Sequence, residues 1–308
     1  MGVQAKNRST WPGIGLGLFS SLALSTASVL AKAGLSAAID PVPLLALRLL
    51  VAALVSWMVF PWVWPGVWRI DRRALIACAA VGSANAGGLL CYYFALRGMD
   101  ASVAHVIYSL YPIAALLLLA LRGERVTRRS QGRLLLAILG VYLLVGPGGQ
   151  VDPRGVLLVL GTAVLYALHL NLIQWTLGDY PPQTVTLYTL TVMALILTTV
   201  GAFQPGGWQP LPTLGWVVVL VTGVVSTAIG RLALFAAVHR IGSGQTALFG
   251  PLSTVFSVSW AILFLGETLS PLQVAGGILI LSSAVLGARP DRERDLADSP
   301  QEGAPEQQ

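Results

Sequence analysis

Charge is scarce in this chain. Lys, Arg, Asp and Glu together make up 10% of its 308 residues, against roughly 25% in an ordinary soluble domain. That deficit excludes a water-soluble globular fold, because too little polar surface exists to cover so much apolar side chain. Acidic residues are missing from the interior of the apolar runs. None of the 13 Asp and Glu lies deep in such a run, and Glu124 and Glu267 stand at run ends; this argues against proton exchange through a buried membrane carboxylate. Cysteine is limited to Cys78 and Cys91, which lie about 20 Å apart along one predicted helix and beyond disulfide reach. With 3 His and 2 Cys, no metal-ligand spacing occurs, and P-loop, HExxH and Gly-x-Ser-x-Gly patterns are absent. Gly13, Gly15 and Gly17 follow no strand and make no nucleotide fingerprint. No cofactor, no metal and no enzymatic activity are expected. Without an ATP-binding motif, active transport would have to draw on an ion or solute gradient.

What is present is long apolar sequence. Hydrophobic residues reach 55% and the mean hydropathy is +0.75. Runs of about twenty residues, enough to cross about 30 Å of hydrocarbon as helix, follow one another almost from end to end. They are apolar throughout and do not alternate, which points to helices and away from a β-barrel. The predicted spans are 11–34, 42–63, 74–96, 101–121, 132–147, 155–176, 183–204, 213–236, 243–265 and 271–288. The first follows Lys6 and Arg8 and contains Ala31-Lys32-Ala33, a faint signal-peptidase pattern, but it is too long for a signal h-region and counts as a span. Residues 1–10 form a short N-terminal segment, and 289–308, rich in Asp, Glu, Pro and Gln, are expected to be disordered.

The net charge of +6 is spread over connections and forms no patch for nucleic acid; it reports topology. With a cytoplasmic N-terminus, the inner side holds Lys6, Arg8, Arg69, Arg72, Arg73, Arg122, Arg125, Arg128, Arg129, Arg133, Arg240, Arg289, Arg292 and Arg294, while the outer side holds Lys32, Arg97 and Arg154. A multi-pass plasma (inner) membrane protein with both termini cytoplasmic is expected. Its partners are the lipid bilayer and a small-molecule substrate, and it is either a monomer or a homodimer.

The sequence also repeats itself. Val81 to Gly146, with YYFALRGMDASVAHVIYSLYP and GERVTRRSQGRLLLAILGVYLLVG, parallels Gly223 to Gly287, with LFAAVHRIGSGQTALFGPLST and GETLSPLQVAGGILILSSAVLG. Gly88 falls on Gly230 and Gly123-Glu124 on Gly266-Glu267. Five spans separate equivalent positions, so the halves are expected to be inverted. The charges agree: arginines crowd the Gly123-Glu124 connection and none follows Gly266-Glu267. Inverted repeats place a substrate site near the midplane between the halves.

On these residues the chain resembles the drug/metabolite transporter superfamily, in its ten-helix branch with two EamA-type domains. Lys32, Pro43, Arg48, Pro112 and Gly123-Glu124-Arg125 match the motif of the first domain; Phe235, His239-Arg240-Ile241-Gly242 and Leu265-Gly266-Glu267-Thr268 match the second. Thr254 stands where the family has the proline equivalent to Pro112. The resemblance implies an all-α integral membrane fold of ten transmembrane helices, as two inverted five-helix repeats (11–147 and 155–288) around a central cavity. It also implies export of amino acids or other small metabolites.

Polar groups inside the spans are the substrate-site candidates. Arg48 lies about 7 Å inside its span, where it either snorkels outward or points into a wet cavity to pair with a carboxylate. Arg231, near the inner end of the eighth span, has the same two readings. His105 with Tyr108, and Tyr166 with His169, are three apart and share a helix face. They offer an aromatic wall and a titratable group, or a packing contact. Asn85, Tyr92 and Tyr93, and the stripe Phe249, Ser253, Phe256 and Trp260, extend an aromatic surface or pack against neighbours. Ser21, Ser25 and Ser28 make a small polar face for close packing or for the cavity. The expected function is alternating-access export of amino acids, aromatic ones included. A nucleobase, nucleotide sugar or drug exporter, a membrane enzyme and a scaffold are the alternatives.

Overall fold

The computed structural model describes residues 11–121, 128–145, 152–204, 210–234, 236–237 and 249–288. Glu124, Phe235, the 239–242 motif, residues 1–10 and the 289–308 tail lie outside the described residues. The helices are α1 (Trp11–Ser36), α2 (Pro41–Val63), α3 (Arg72–Gly98), α4 (Ala101–Tyr108), α5 (Tyr111–Leu121), α6 (Arg128–Val145), α7 (Pro153–Thr176), α8 (Pro182–Ala202), α9 (Thr213–Leu220, running on through a π-helical stretch Val221–Ile229), α10 (Phe249–Leu265) and α11 (Pro271–Ala288). With α4 and α5 counted as one interrupted crossing, these make ten crossings. Six helical segments, 11–36, 41–63, 72–98, 153–173, 182–202 and 213–234, are long and apolar enough to span a membrane individually. Large apolar side chains such as Met58, Trp62, Leu135, Leu157, Leu195 and Leu263 are exposed, as lipid-facing groups must be.

The helix starts follow from local chemistry. Asp152 precedes Pro153 and its carboxylate accepts from Arg154 N at 3.0 Å, an N-cap with proline at the first helical position. Ser270 and Gln273 cap α11 reciprocally: Ser270 N donates to Gln273 Oε1 at 2.9 Å and Gln273 N to Ser270 Oγ at 3.3 Å, satisfying two otherwise orphaned donors. One predicted span differs from the structure. The run 101–121 was expected to be continuous, but it breaks at Ser109–Leu110, because a proline at position 112 has no N–H to donate to the carbonyl of Tyr108.

The helix pairing has the symmetry that the repeat implies. Replacing each crossing by the one five places later turns the α3–α7 contact into α9–α1, α1–α10 into α7–α4/α5, and α3–α8 into α9–α2; the pairs α2–α8, α4–α10 and α6–α11 map onto themselves. The α6–α11 crossing needs glycine on both sides. A Cβ on Gly276 would stand 2.6 Å from Gly140 O and 2.7 Å from Leu144 N, so the backbones touch there, as small residues allow in membranes.

Buried hydroxyls fasten α1 across the two halves. Ser20 donates to Gly230 O at 3.0 Å, Ser21 to Phe249 O at 2.9 Å, and Thr26 is bonded to Ser226 at 2.7 Å. The π-helical stretch carries its own polar bond, Thr227 Oγ1 to Thr222 O at 2.9 Å, five residues back.

Candidate functional site

A cavity of about 550 Å³ lies between the two halves and takes its wall from α1, α2, α3, α4, α5, α7, α8, the α9 crossing and α10. Call the end where α1 starts the near end and the end where it finishes the far end. The wall reaches Leu177, Gly178 and Tyr180 in the α7–α8 connection and Pro182 at the start of α8, at the near end, and includes none of the described residues of the far-end connections.

One side of the wall is aromatic. Tyr92 and His105 are joined by a hydrogen bond between Oη and Nδ1 of 3.2 Å. Tyr108 then meets Tyr111 at a centroid distance of 5.5 Å and Tyr166 at 5.4 Å, and Tyr111 stands edge-on to Tyr166 at 5.0 Å. Tyr166 stacks on His169 at 5.5 Å. His169 Nδ1 lies 3.0 Å from Val81 O; a carbonyl can only accept, so Nδ1 carries the proton there. The α3–α7 contact behind this wall is tight. Thr162 Oγ1 donates to Gly88 O at 3.0 Å, and a Cβ on Gly88 would lie 3.3 Å from Leu165 Cβ.

The wall also carries two cations. Arg48 is 8% exposed, with Nε donating to Thr227 Oγ1 at 3.1 Å and Nη1 to Tyr93 Oη at 2.8 Å. Arg231, four residues beyond Thr227, also lines the cavity. Both arginines thus stand in the cavity wall. Among the described residues, no Asp or Glu is in the cavity wall. The ion pair among the described residues joins Arg97 to Asp40 at the far end, outside the cavity. Asn85, 3% exposed, points its Nδ2 at no partner.

Ser21, Arg48, Asn85, Tyr92, His105, Tyr108, Tyr166, His169 and Ser253 thus share one wall. Ser25 and Trp260 stand apart from it: Trp260 Nε1 donates to Ser25 Oγ at 3.0 Å, clamping α10 to α1. Tyr111 and Thr162 are wall residues that the sequence reading passed over. Tyr111, three residues after Tyr108, carries the same spacing signal as the pairs that were picked out; Thr162 carries none.

Polar bonds tie helix ends together at the far end. Gly266, at φ +66°, takes the left-handed turn that ends α10, and Glu267 N reaches back to Ala261 O at 3.4 Å. This turn directs the Glu267 carboxylate at the start of α4, where it accepts from Ala101 N at 2.8 Å, Ser102 N at 2.9 Å and Ser102 Oγ at 2.6 Å. A carboxylate at a helix N-terminus also meets the positive end of the helix dipole. Lys32 Nζ donates to Leu96 O and Met99 O, each at 2.8 Å, capping the other end of the dipole at the finish of α3. Burial raises the Asp100 carboxyl above its ordinary value, Glu267 adds to the rise, and Lys32 opposes it. At the near end a hydrogen bond from the Tyr180 hydroxyl holds the Asp71 carboxyl below its ordinary value.

The same plan is found in known proteins. Pseudopaline exporter CntI of Pseudomonas aeruginosa is 25% identical over 284 residues, covering 90% of this chain and 96% of CntI. Threonine/homoserine exporter RhtA of Escherichia coli K12 is 34% identical over 160 residues, 48% of this chain and 51% of RhtA. A solved crystal structure matches the fold with a TM-score of 0.62 at 20% identity, over 91% of this chain and 98% of its own. The EamA-like transporter family model matches residues 11–146 and again 153–288, one copy for each half of the symmetric pairing, and the chain belongs to the EamA-like transporter family.

Proposed function

We propose that this chain exports amino acids, aromatic ones included, or closely related amphipathic solutes across the plasma (inner) membrane by alternating access, with both termini and the near end on the cytoplasmic side. The observation that carries the reading is the cavity itself. It is built by both halves, lined by tyrosine, histidine and arginine, and extended to the α7–α8 connection at the near end, while polar bonds tie helix ends at the far end. A solute carboxylate suits Arg48, whose guanidinium is oriented by Tyr93 and Thr227 before any ligand arrives and so needs little ordering on binding. The apolar part of the solute suits the tyrosine faces, and its ammonium suits their π-electrons. CntI and RhtA are named for export of pseudopaline and of threonine and homoserine, which supports small amino-acid-like cargo. The excess of Lys and Arg on near-end connections supports the orientation.

Transport by purified protein in liposomes, over a broad panel of labelled amino acids with and without an imposed pH gradient, tests this reading. Movement of at least one amino acid is expected, with Arg48→Gln lowering the rate about tenfold or more through loss of a charge-assisted bond. If no amino acid moves under either condition, the reading is wrong.

A further inference from the structure

Two guanidinium groups share the cavity, and nothing acidic among the described residues balances them. Arg48 uses Nε and one Nη1 hydrogen on Thr227 and Tyr93, and its remaining hydrogens have no partner among the described residues. Arg231 follows Thr227, the residue that holds Arg48, by four positions on the same crossing, and both arginines line the one cavity. Among the described residues no carboxylate pairs with either. Asn85 adds an unpartnered buried amide hydrogen to the same wall. The surplus in this cavity is therefore one of donors and positive charge.

A neutral amino acid would match this surplus poorly. Its one carboxylate can neutralise one arginine, while its ammonium brings a third cation to a cavity without an acid. A solute with two carboxylates on a short chain would neutralise both arginines. Its net negative charge would also move down the potential on leaving a cell with a negative interior, so export would need no buried proton-exchanging carboxylate, in keeping with the absence of one from the spans.

We propose that the cargo is an anionic, amino-acid-type solute with two carboxylates, one held by Arg48 and the other by Arg231. Asn85 Nδ2 donates to an oxygen of the same molecule, and the rings of Tyr108, Tyr111 and Tyr166 take its apolar body. The inference rests on the exporter reading above and narrows its cargo.

A matched pair of ligands tests it: L-phenylalanine and N-(carboxymethyl)-L-phenylalanine, which has the same ring and one more carboxylate. Calorimetric titration of the purified full chain is expected to show the diacid binding about tenfold or more tightly, the effect of one added charge-assisted pair. Arg231→Gln should bring the two ligands within about threefold, and Arg231→Lys should keep part of the difference, because the charge remains while the bidentate fork is lost. Melting curves show whether each variant is folded, and the wild-type comparison needs no variant. Equal or tighter binding of phenylalanine overturns the inference, as does a folded Arg231→Gln protein with its preference intact. If the diacid does not bind while neutral amino acids still move in liposomes, the inference fails alone; if the amino-acid panel is also still, the exporter reading fails with it.

Discussion

At the far end of the bundle, Glu267 and Lys32 tie α1, α3, α4 and the α10–α11 connection together. Among the described residues at the near end, the α7–α8 connection borders the cavity, and Tyr180 is its polar contact to Asp71. The difference does not come from apolar packing, since apolar side chains surround the bundle along its whole length. It comes from where charged side chains meet helix ends. A carboxylate on the N–H groups of α4 and an ammonium on the last carbonyls of α3 each satisfy backbone groups that the helix itself leaves open. Such bonds can be exchanged for water, whereas a continuous apolar seal cannot be opened without exposing hydrocarbon. On the alternating-access reading proposed above, these bonds are the ones expected to hold the closed end.

Removing the strongest tie should break the asymmetry most. Glu267→Ala leaves two backbone N–H groups and the Ser102 hydroxyl without their acceptor in a buried site. The expected loss is about 2–4 kcal/mol, read as a lower melting temperature in detergent; Glu267→Gln, which keeps one acceptor oxygen, should lose less. Lys32→Met removes two charge-assisted bonds from a partly buried site and should cost about 1–2 kcal/mol in the same measurement.

Two smaller effects distinguish the ends by pH. Asp71 is held below its ordinary value, so its contact with Tyr180 is fully formed above the ordinary carboxylate range and fades as the pH falls through the lowered value. Tyr180→Phe should therefore differ from the wild type in near-side access at neutral pH, read by thiol-labelling rate, and match it in acid. Asp100 is shifted the other way, so its ionised form strains the folded far end. Asp100→Asn should raise the melting temperature slightly at neutral pH, with the gain vanishing in acid, where the aspartate is itself neutral.

The crossings and the inversion were legible in the sequence, because membrane thickness fixes span length and the Gly-Glu motif recurs with opposite flanking charge. The helix break before Pro112 was also written there, in a residue that cannot donate, although the run was expected to be continuous. The π-helical stretch in the α9 crossing was not. It accompanies a close approach in which a Cβ on Gly223 would sit 2.9 Å from Arg48 O, and such a contact between remote residues leaves no periodic trace. Glu267 was read as a helix-end group, but its partners lie more than 160 positions away and no local pattern names them. Arginine posed a different problem, since the sequence shows its depth but not the direction of a long side chain. Ser25 and Trp260 show the same limit: helical spacing grouped them with cavity residues, and their hydrogen bond to each other is visible only in three dimensions.

The most direct test of the two-ended arrangement is side-specific labelling of Ser253→Cys, a half-buried cavity-wall position, in a chain with Cys78 and Cys91 replaced by alanine and inserted in liposomes with known orientation. A membrane-impermeant thiol reagent should react from the near side alone, more slowly when a transported solute is present, and from the far side as well once Glu267→Ala is added. Labelling from the far side alone, equal labelling from both sides with Glu267 in place, or no labelling from either side would contradict a cavity open at one end and held closed at the other.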